Sequence, residues 1–405
     1  MVTNLKNRDQ IFSFLDSYSS DMKSQIDLGK TKQPLLKSYI FETFNEEINN
    51  NFSFNIKDYA NIISGGIYEL TQIDESLFAL KTSGGIPFGF IEIINNRFFV
   101  LYAMEKSNFT DQYTSKIVKN SPLIDNLWIS GKLFDGFLKQ IVDYHNPHRY
   151  LTMNFEFDGM FESKVPTDGH ELYEEDNFED TRLTKISLSK ELEEIETNLK
   201  GIRGFLPEFH SIGLLKFPTM VGKGGHYFYR NGKVTNRSNS FKDHRYHIFQ
   251  NVDSYKKITE DLESNVWLDF ERIKSPDMSV NMSFNGIPIT FKFSKELKKN
   301  VFNNFIEYSF KQGREPFKII GNPIRVNDNR VHIYGMDLHL WQEVMLDLSC
   351  DKFTLFLPRG TCGNTIHRIA TNIQRYLDPA VNILIGNKEY EDYINKHLGE
   401  LDSHE

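Results

Sequence analysis

Lys216 to His247 holds the residues whose types and spacing best suit a phosphate-bearing ligand. Seven cations, Lys216, Lys223, Arg230, Lys233, Arg237, Lys242 and Arg245, are interleaved with Phe217, Tyr227, Phe228, Tyr229, Phe241 and Tyr246, and Asp243 alone opposes them. Cations neutralise phosphates and aromatic faces stack on bases, so this is the composition of a nucleic-acid groove. Gly222, Gly224, Gly225 and Gly232 break the run and predict a hairpin with Arg230-Asn231-Gly232-Lys233 at its tip. In the arm HYFYR, Tyr227 and Tyr229 fall on one face and His226, Phe228 and Arg230 on the other. One face is expected to pack and the other to meet a ligand. The competing reading is a solvated basic hairpin whose aromatics are core.

A second anion site is predicted at Arg359-Gly360-Thr361-Cys362-Gly363-Asn364-Thr365, between an apolar strand and an amphipathic helix. A glycine-rich turn opening a helix presents unpaired N–H groups and a positive dipole end. Arg359, Arg368 and Arg375 would add charge, with Asn364 and Thr365 at the helix start. The turn matches neither the GxxxxGK[ST] loop nor GxGxxG. Its GTCGN core echoes the GxSxG nucleophile elbow, which makes Cys362 a candidate nucleophile, with Asn364 where the motif has Gly.

Two further sets could carry chemistry. Asp337 and His339 alternate with leucines and would project from one strand face, as would Glu156 and Asp158; clustered carboxylates are what a metal-dependent nuclease needs. His226, Asp243, His244 and His247 could in principle meet at zinc, although Asp243-His244-x-x-His247 matches no standard metal helix and HExxH is absent.

Composition bounds these readings. The 405 residues carry a net charge of −8, but residues 1–200 hold 20 Lys and Arg against 31 Asp and Glu, and residues 201–405 hold 27 against 24. Binding depends on local potential, so an acidic total does not exclude nucleic acid. Cys350 and Cys362 are too few for a disulfide scaffold or a Cys-rich structural zinc site. No signal-peptide pattern and no apolar run of membrane-spanning length is present, so a cytoplasmic protein with no membrane contact is expected.

The elements that must position these residues follow from periodicity. The first 50 residues read as helical, including LLKSYIFETFNEEI. From Ile67, short β-prone runs separated by DE, SGG and NN read as an antiparallel meander, with Asn95-Asn96 at a hairpin loop. A helix is predicted over LIDNLWISGKLFDGFLKQIVDYH and strand alternation over YLTMNFEFDGMFE. The acidic run from Asp168 to Asp180 reads as an exposed linker. It precedes a helix capped by Ser189 or Ser187. Beyond it are predicted a hairpin around Asn285-Gly286, a helix ended by Gly313, strands flanking Asn327-Asp328-Asn329, and a closing β-loop-α-β unit.

The fold class expected is therefore α+β in two domains. Residues 1–165 form an antiparallel meander with helices, 166–200 an acidic linker and helix, and 201–405 a basic, mixed β/α domain. The expected function is phosphate-backbone binding of DNA or RNA, as a subunit of a microbial nucleic-acid-processing or defence complex with a protein partner. Lys223, Tyr227, Tyr229, Arg230, Lys233, Arg237, Lys242, Arg245, Arg359, Asn364, Thr365, Arg368 and Arg375 would bind. No cofactor or metal is expected. A divalent metal enters only under the alternative of a phosphodiester hydrolase using Asp337 and His339. The other alternative is a non-catalytic adaptor whose basic face docks an acidic protein.

Overall fold

The structure is a computed structural model describing residues 5–29, 33–44, 56–162, 183–220, 223–274, 280–313 and 315–398. In chain order its first part runs α1 (Arg8–Asp27), β1 (Lys37–Glu42), α2 (Ala60–Ser64), β2 (Tyr68–Gln72), β3 (Leu77–Thr82), β4 (Pro87–Ile93), β5 (Phe98–Ala103), α3 (Ser107–Asn120), β6 (Asp125–Asn126), α4 (Gly131–Tyr144), β7 (Tyr150–Asp158), β8 (Leu183–Glu191), α5 (Leu192–Arg203), β9 (Ile212–Pro218), β10 (Gly225–Tyr229), β11 (Lys233–Asn236) and α6 (Phe241–Val266). The second runs β12 (Asp269–Lys274), β13 (Val280–Asn285), β14 (Ile289–Lys292), α7 (Lys299–Ile306), β15 (Ile319–Asn327), β16 (Arg330–Asp337), β17 (Gln342–Ser349), β18 (Lys352–Phe356), α8 (Asn364–Tyr376), β19 (Asn382–Ile385), β20 (Lys388–Glu389) and α9 (Tyr390–Leu398).

Two antiparallel sheets dominate, and the class is α+β. The first has the order β2-β3-β4-β5-β1-β11-β10-β9-β7-β8, with β6 beside β1; the second has the order β15-β16-β17-β18-β14-β19-β20. The meander β2–β5 and the β4–β5 hairpin at Asn95-Asn96 form as the alternation predicts. The closing β18-α8-β19 unit also forms, with β14 antiparallel between its two strands.

The break between sheets does not fall at 166–200. Strands β9–β11 lie beyond that segment and pair into the first sheet, β11 against β1 and β9 against β7. The acidic run from Asp168 to Asp180 lies outside the described residues. It joins β7 to β8, which are antiparallel neighbours, so the composition shift marks a connection within one sheet. The two sheets meet around α6, a 26-residue helix capped by Ser240, whose Oγ accepts from the Asp243 N–H. Its Ile248, Val252, Tyr255, Ile258, Leu262 and Val266 are fully buried, and one continuous core runs from Ile11 to Leu398.

Four local expectations are corrected. Within the first 50 residues, KSYIFE forms strand β1, all six of whose residues are buried; a short run buried on both faces shows no period that separates strand from helix. Ser187 and Ser189 lie in β8, and the following helix starts at Leu192 after Glu191. Asn285-Gly286 does not close a hairpin: β13 pairs with β12, and β14 pairs with β18 and β19. The end of the basic stretch, from Phe241, is the first turns of α6 rather than loop.

Ile258→Ala is expected to cost about 2–5 kcal/mol, the range for emptying a closed core site. Because one core joins both sheets, calorimetry of this variant and of the wild type should show a single shared transition. Two separated transitions would contradict the joint core.

Candidate functional site

The basic hairpin forms where predicted, with its turn at Arg230–Gly232 and Gly232 at φ +74°. Register then decides which side chains meet. Thr152 on β7, Lys216 on β9, Tyr227 on β10 and Thr235 on β11 are successive cross-strand partners and share one face. Arg237 follows Thr235 by two residues. Lys216 Nζ lies 5.0 Å and the Arg237 guanidinium 5.1 Å from the Tyr227 ring centroid. Each such contact is worth about 0.5–1 kcal/mol at an exposed site and holds a long side chain in place.

Thr152, Lys216, Tyr227 and Arg237 line a pocket of about 520 Å³, with Lys23 from α1 and His148, Arg149 and Tyr150 ahead of β7. Arg149 donates to the carbonyls of Thr219 at 2.5 Å and Gly224 at 3.3 Å, fixing the β9–β10 connection. Gly224 has φ +100°, and a Cβ there would sit 2.2 Å from the Arg237 carbonyl. Only glycine lets the backbone close over Arg237 here. Among the described residues, Lys216, Arg149 and Arg237 have no carboxylate within ion-pair distance; Lys23 pairs with Asp27.

Five other cations singled out in the sequence, Arg230, Lys233, Arg245, Arg359 and Arg375, are neutralised by the protein's own acids. Arg230 pairs with Glu156 at 2.8 Å, and Arg375 joins the same carboxylate. Burial alone would raise Glu156, but the two guanidinium groups outweigh it and hold the carboxyl down at about 2. Lys233 pairs with Asp111 at 2.7 Å and lies beside Tyr229; Arg245 pairs with Glu92 at 2.8 Å, and Arg359 with Asp269 at 2.8 Å. Lys223 and Lys242 are exposed and outside the pocket lining. Of the predicted binding residues, the pocket therefore gathers Tyr227 and Arg237. It adds Lys216, which the basic stretch contained, and Arg149, which lies 67 positions earlier and carries no local signal.

The predicted anion site at α8 is filled from within. The Gly363 N–H donates to Glu263 Oε1 at 2.6 Å, so a carboxylate from α6 occupies the helix N-terminus. Arg368 is fully buried and pairs with Asp125 and Asp337; Asn364 and Thr365 are buried beside it. Arg97 bridges Glu42 at 2.5 Å and Glu263 at 2.7 Å, and Lys318 approaches Asp125 at 3.4 Å. Asp337 and His339, 2% and 1% exposed, belong to this network and have no open face toward a substrate. Glu42, His339 and Cys362 also gather closely, with the Arg97 guanidinium already 3.5 Å from the Cys362 sulfur. Burial, reinforced by Glu42, keeps the Cys362 thiol well above its ordinary pKa, which does not suit a nucleophile.

On the inner side of the pocket's strands lies a histidine cluster. His226 alternates with Tyr227 and points inward. Its Nε2 is 2.9 Å from Asp243 Oδ2, its Nδ1 is 3.1 Å from His244 Nδ1, and His244 Nε2 is 2.7 Å from Ser38 Oγ. His247 Nε2 lies 3.8 Å from Asp243 Oδ2, and His145 stacks on His247 with ring centroids 5.7 Å apart. Burial lowers all four histidines, His247 to about 3. Sequence spacing brought His226, Asp243, His244 and His247 into view; His145, from the end of α4, was missed.

The fold and site define an α+β protein with a cationic, tyrosine-centred pocket over a buried histidine cluster. A family model described as MJECL33-like protein matches residues 1–392, and the chain belongs to that family. It is 26% identical over 415 residues to the uncharacterized protein MJECL33 of Methanocaldococcus jannaschii, a match covering 93% of each chain. No solved structure matches it significantly.

Arg368→Met is expected to destabilise the fold by roughly 3–5 kcal/mol, because it strands Asp125 and Asp337 without a cation; denaturant unfolding measures this. A pH effect follows from Glu42, faced by Arg97, Glu263, Asp125, Cys362 and His339. Burial raises its carboxyl from 4.5 to about 7 against the pull of Arg97. Between those values the folded chain holds a proton that the unfolded chain has released. This contribution to stability is full below about 4.5 and is lost as pH rises through about 7. Glu42→Gln should lack that loss, so its stability relative to wild type should increase from about pH 5 to about pH 8. An equal difference at both pH values would contradict the assignment.

Proposed function

We propose that this protein binds nucleic acid through its phosphate backbone, at the pocket formed by Lys216, Tyr227, Arg237 and Arg149. One observation carries the reading. Arg230, Lys233 and Arg245 of the basic stretch are neutralised internally, while Lys216, Arg237 and Arg149 converge on one concavity without a carboxylate partner among the described residues. Tyr227 is flanked by two cations, which favours phosphate contact over base stacking on that ring. A pocket of about 520 Å³ has the size of small-ligand sites, roughly 300–1,000 Å³. It admits one nucleotide unit of a single strand more readily than the side of a duplex.

A role as a subunit of a larger nucleic-acid-processing assembly is part of the proposal. Exposed apolar side chains on the outer strands of the second sheet, Ile320, Ile324, Val326 and Tyr334, support a protein-contacting face there. Cytoplasmic location is proposed with it; among the described residues no helix is long and apolar enough to cross a membrane. The hydrolase reading built on Asp337 is less favoured, because that carboxylate is committed to Arg368 and Thr365.

Fluorescence anisotropy with single- and double-stranded DNA and RNA at low salt tests the proposal. Single strands should bind, and affinity should fall as salt rises. Lys216→Ala/Arg237→Ala should weaken binding and reduce the magnitude of the log–log salt slope by about 0.7 for each phosphate that is no longer neutralised. Wild-type protein that binds none of the four polymers, or a double variant that binds like wild type, overturns it.

A further inference from the structure

We propose that His226, Asp243 and His247 form a binding site for a divalent transition metal of the zinc type, independent of the nucleic-acid reading. His226 Nε2, Asp243 Oδ2 and His247 Nε2 lie within 4.8 Å of one another. The carboxylate oxygen is 2.9 Å from one imidazole nitrogen and 3.8 Å from the other. Tetrahedral zinc with ligand bonds of about 2.0–2.2 Å needs its ligand atoms roughly 3.3–3.5 Å apart, so these spacings bracket the required one. Two imidazoles and one carboxylate, with a fourth position open, match the donor set of known zinc sites.

The second observation is unmet hydrogen-bonding capacity aimed at this spot. His247 is 6% exposed, and its Nε2 has no hydrogen-bond partner. His145 is 8% exposed, and its Nδ1 is 2.9 Å from the Ile141 carbonyl. A carbonyl only accepts, so Nδ1 carries the proton and Nε2 keeps a lone pair. That is the tautomer and outer-sphere anchor that metal-binding histidines use. His145 is not among the three donors already gathered, but its ring stacks on His247. A buried polar atom without a partner is destabilising, and an ion would relieve the one on His247.

The hydrogen-bond chain behind the site accommodates an ion while keeping its links. As it stands, the Ser38 hydroxyl donates to His244 Nε2, His244 Nδ1–H to His226 Nδ1, and His226 Nε2–H to Asp243, because the carboxylate only accepts. A metal on His226 requires Nε2 without its proton, so that its lone pair faces the ion. The proton then sits on Nδ1 and donates to His244 Nδ1, and His244 Nε2–H donates to Ser38 Oγ. The same protons serve both arrangements. His244 thus acts as a positioning residue that orients His226.

Full-length protein stripped with a chelator and shown by circular dichroism to be folded is titrated with Co²⁺, then with Zn²⁺. One Co²⁺ per chain should bind, with the visible absorption of a four- or five-coordinate ion, and Zn²⁺ should displace it. His247→Gln should lose the band with its fold intact, and His244→Gln should weaken binding by roughly 10–100-fold. Folded wild type that binds neither ion overturns the proposal, as does a band unchanged in His247→Gln. If His247→Gln fails to fold, Asp243→Asn takes its place under the same two criteria. Nucleic-acid binding is scored separately, so failure of one reading leaves the other measurable.

Discussion

The structure depends on buried charge that must be balanced inside the protein. Arg97, Arg368 and Lys318 are matched against Glu42, Glu263, Asp125 and Asp337 in a region with almost no solvent exposure. Removing such ions from water costs several kcal/mol each unless partners and hydrogen bonds replace the hydration they give up. The replacements come from β1, the β4–β5 loop, β6, α6, β16 and α8, so the network is satisfied only when both sheets and the central helix are assembled. Four acids face three bases. Burial makes Glu42 hold its proton more tightly than an ordinary carboxyl does.

The same rule of compensation shapes the surface. A cation beside a carboxylate presents little field to a ligand, and Arg230, Lys233 and Arg245 of the basic stretch each have one. What remains is a small region where strand register brings Lys216, Tyr227 and Arg237 together and Arg149 holds the adjoining turn. The pocket's charge is thus a product of which acids are elsewhere as much as of which bases are present. One strand serves two environments: Tyr227 faces the pocket, and His226 faces the histidine cluster beneath it.

Much of the fold was legible in the sequence because alternation and turn chemistry are local. The β2–β5 meander, the Arg230–Gly232 turn, the β15–β16 hairpin around Asn327–Asn329 and the β18-α8-β19 unit all announce themselves within one contiguous stretch of chain each. Strand β1 did not, since full burial on both faces erases the period. Nor did α6, whose first turns carry the charges and aromatics that suggested a loop. The acidic run between β7 and β8 mimicked a domain boundary because composition reports exposure and not which strands pair.

The residue types of the site were set by the sequence alone: a basic, aromatic, glycine-broken hairpin followed by Asp243-His244-x-x-His247. Tertiary structure decided which of those residues act together. Arg368, Asn364 and Thr365 were drawn inward because α8 packs its N-terminus onto Glu263, and Arg230 and Arg375 were spent on Glu156. Arg149 and His145 were brought in from the connection between α4 and β7. Charge and hydrogen-bonding capacity belong to a residue, but whether they are satisfied depends on neighbours remote in sequence, and only the folded chain supplies those.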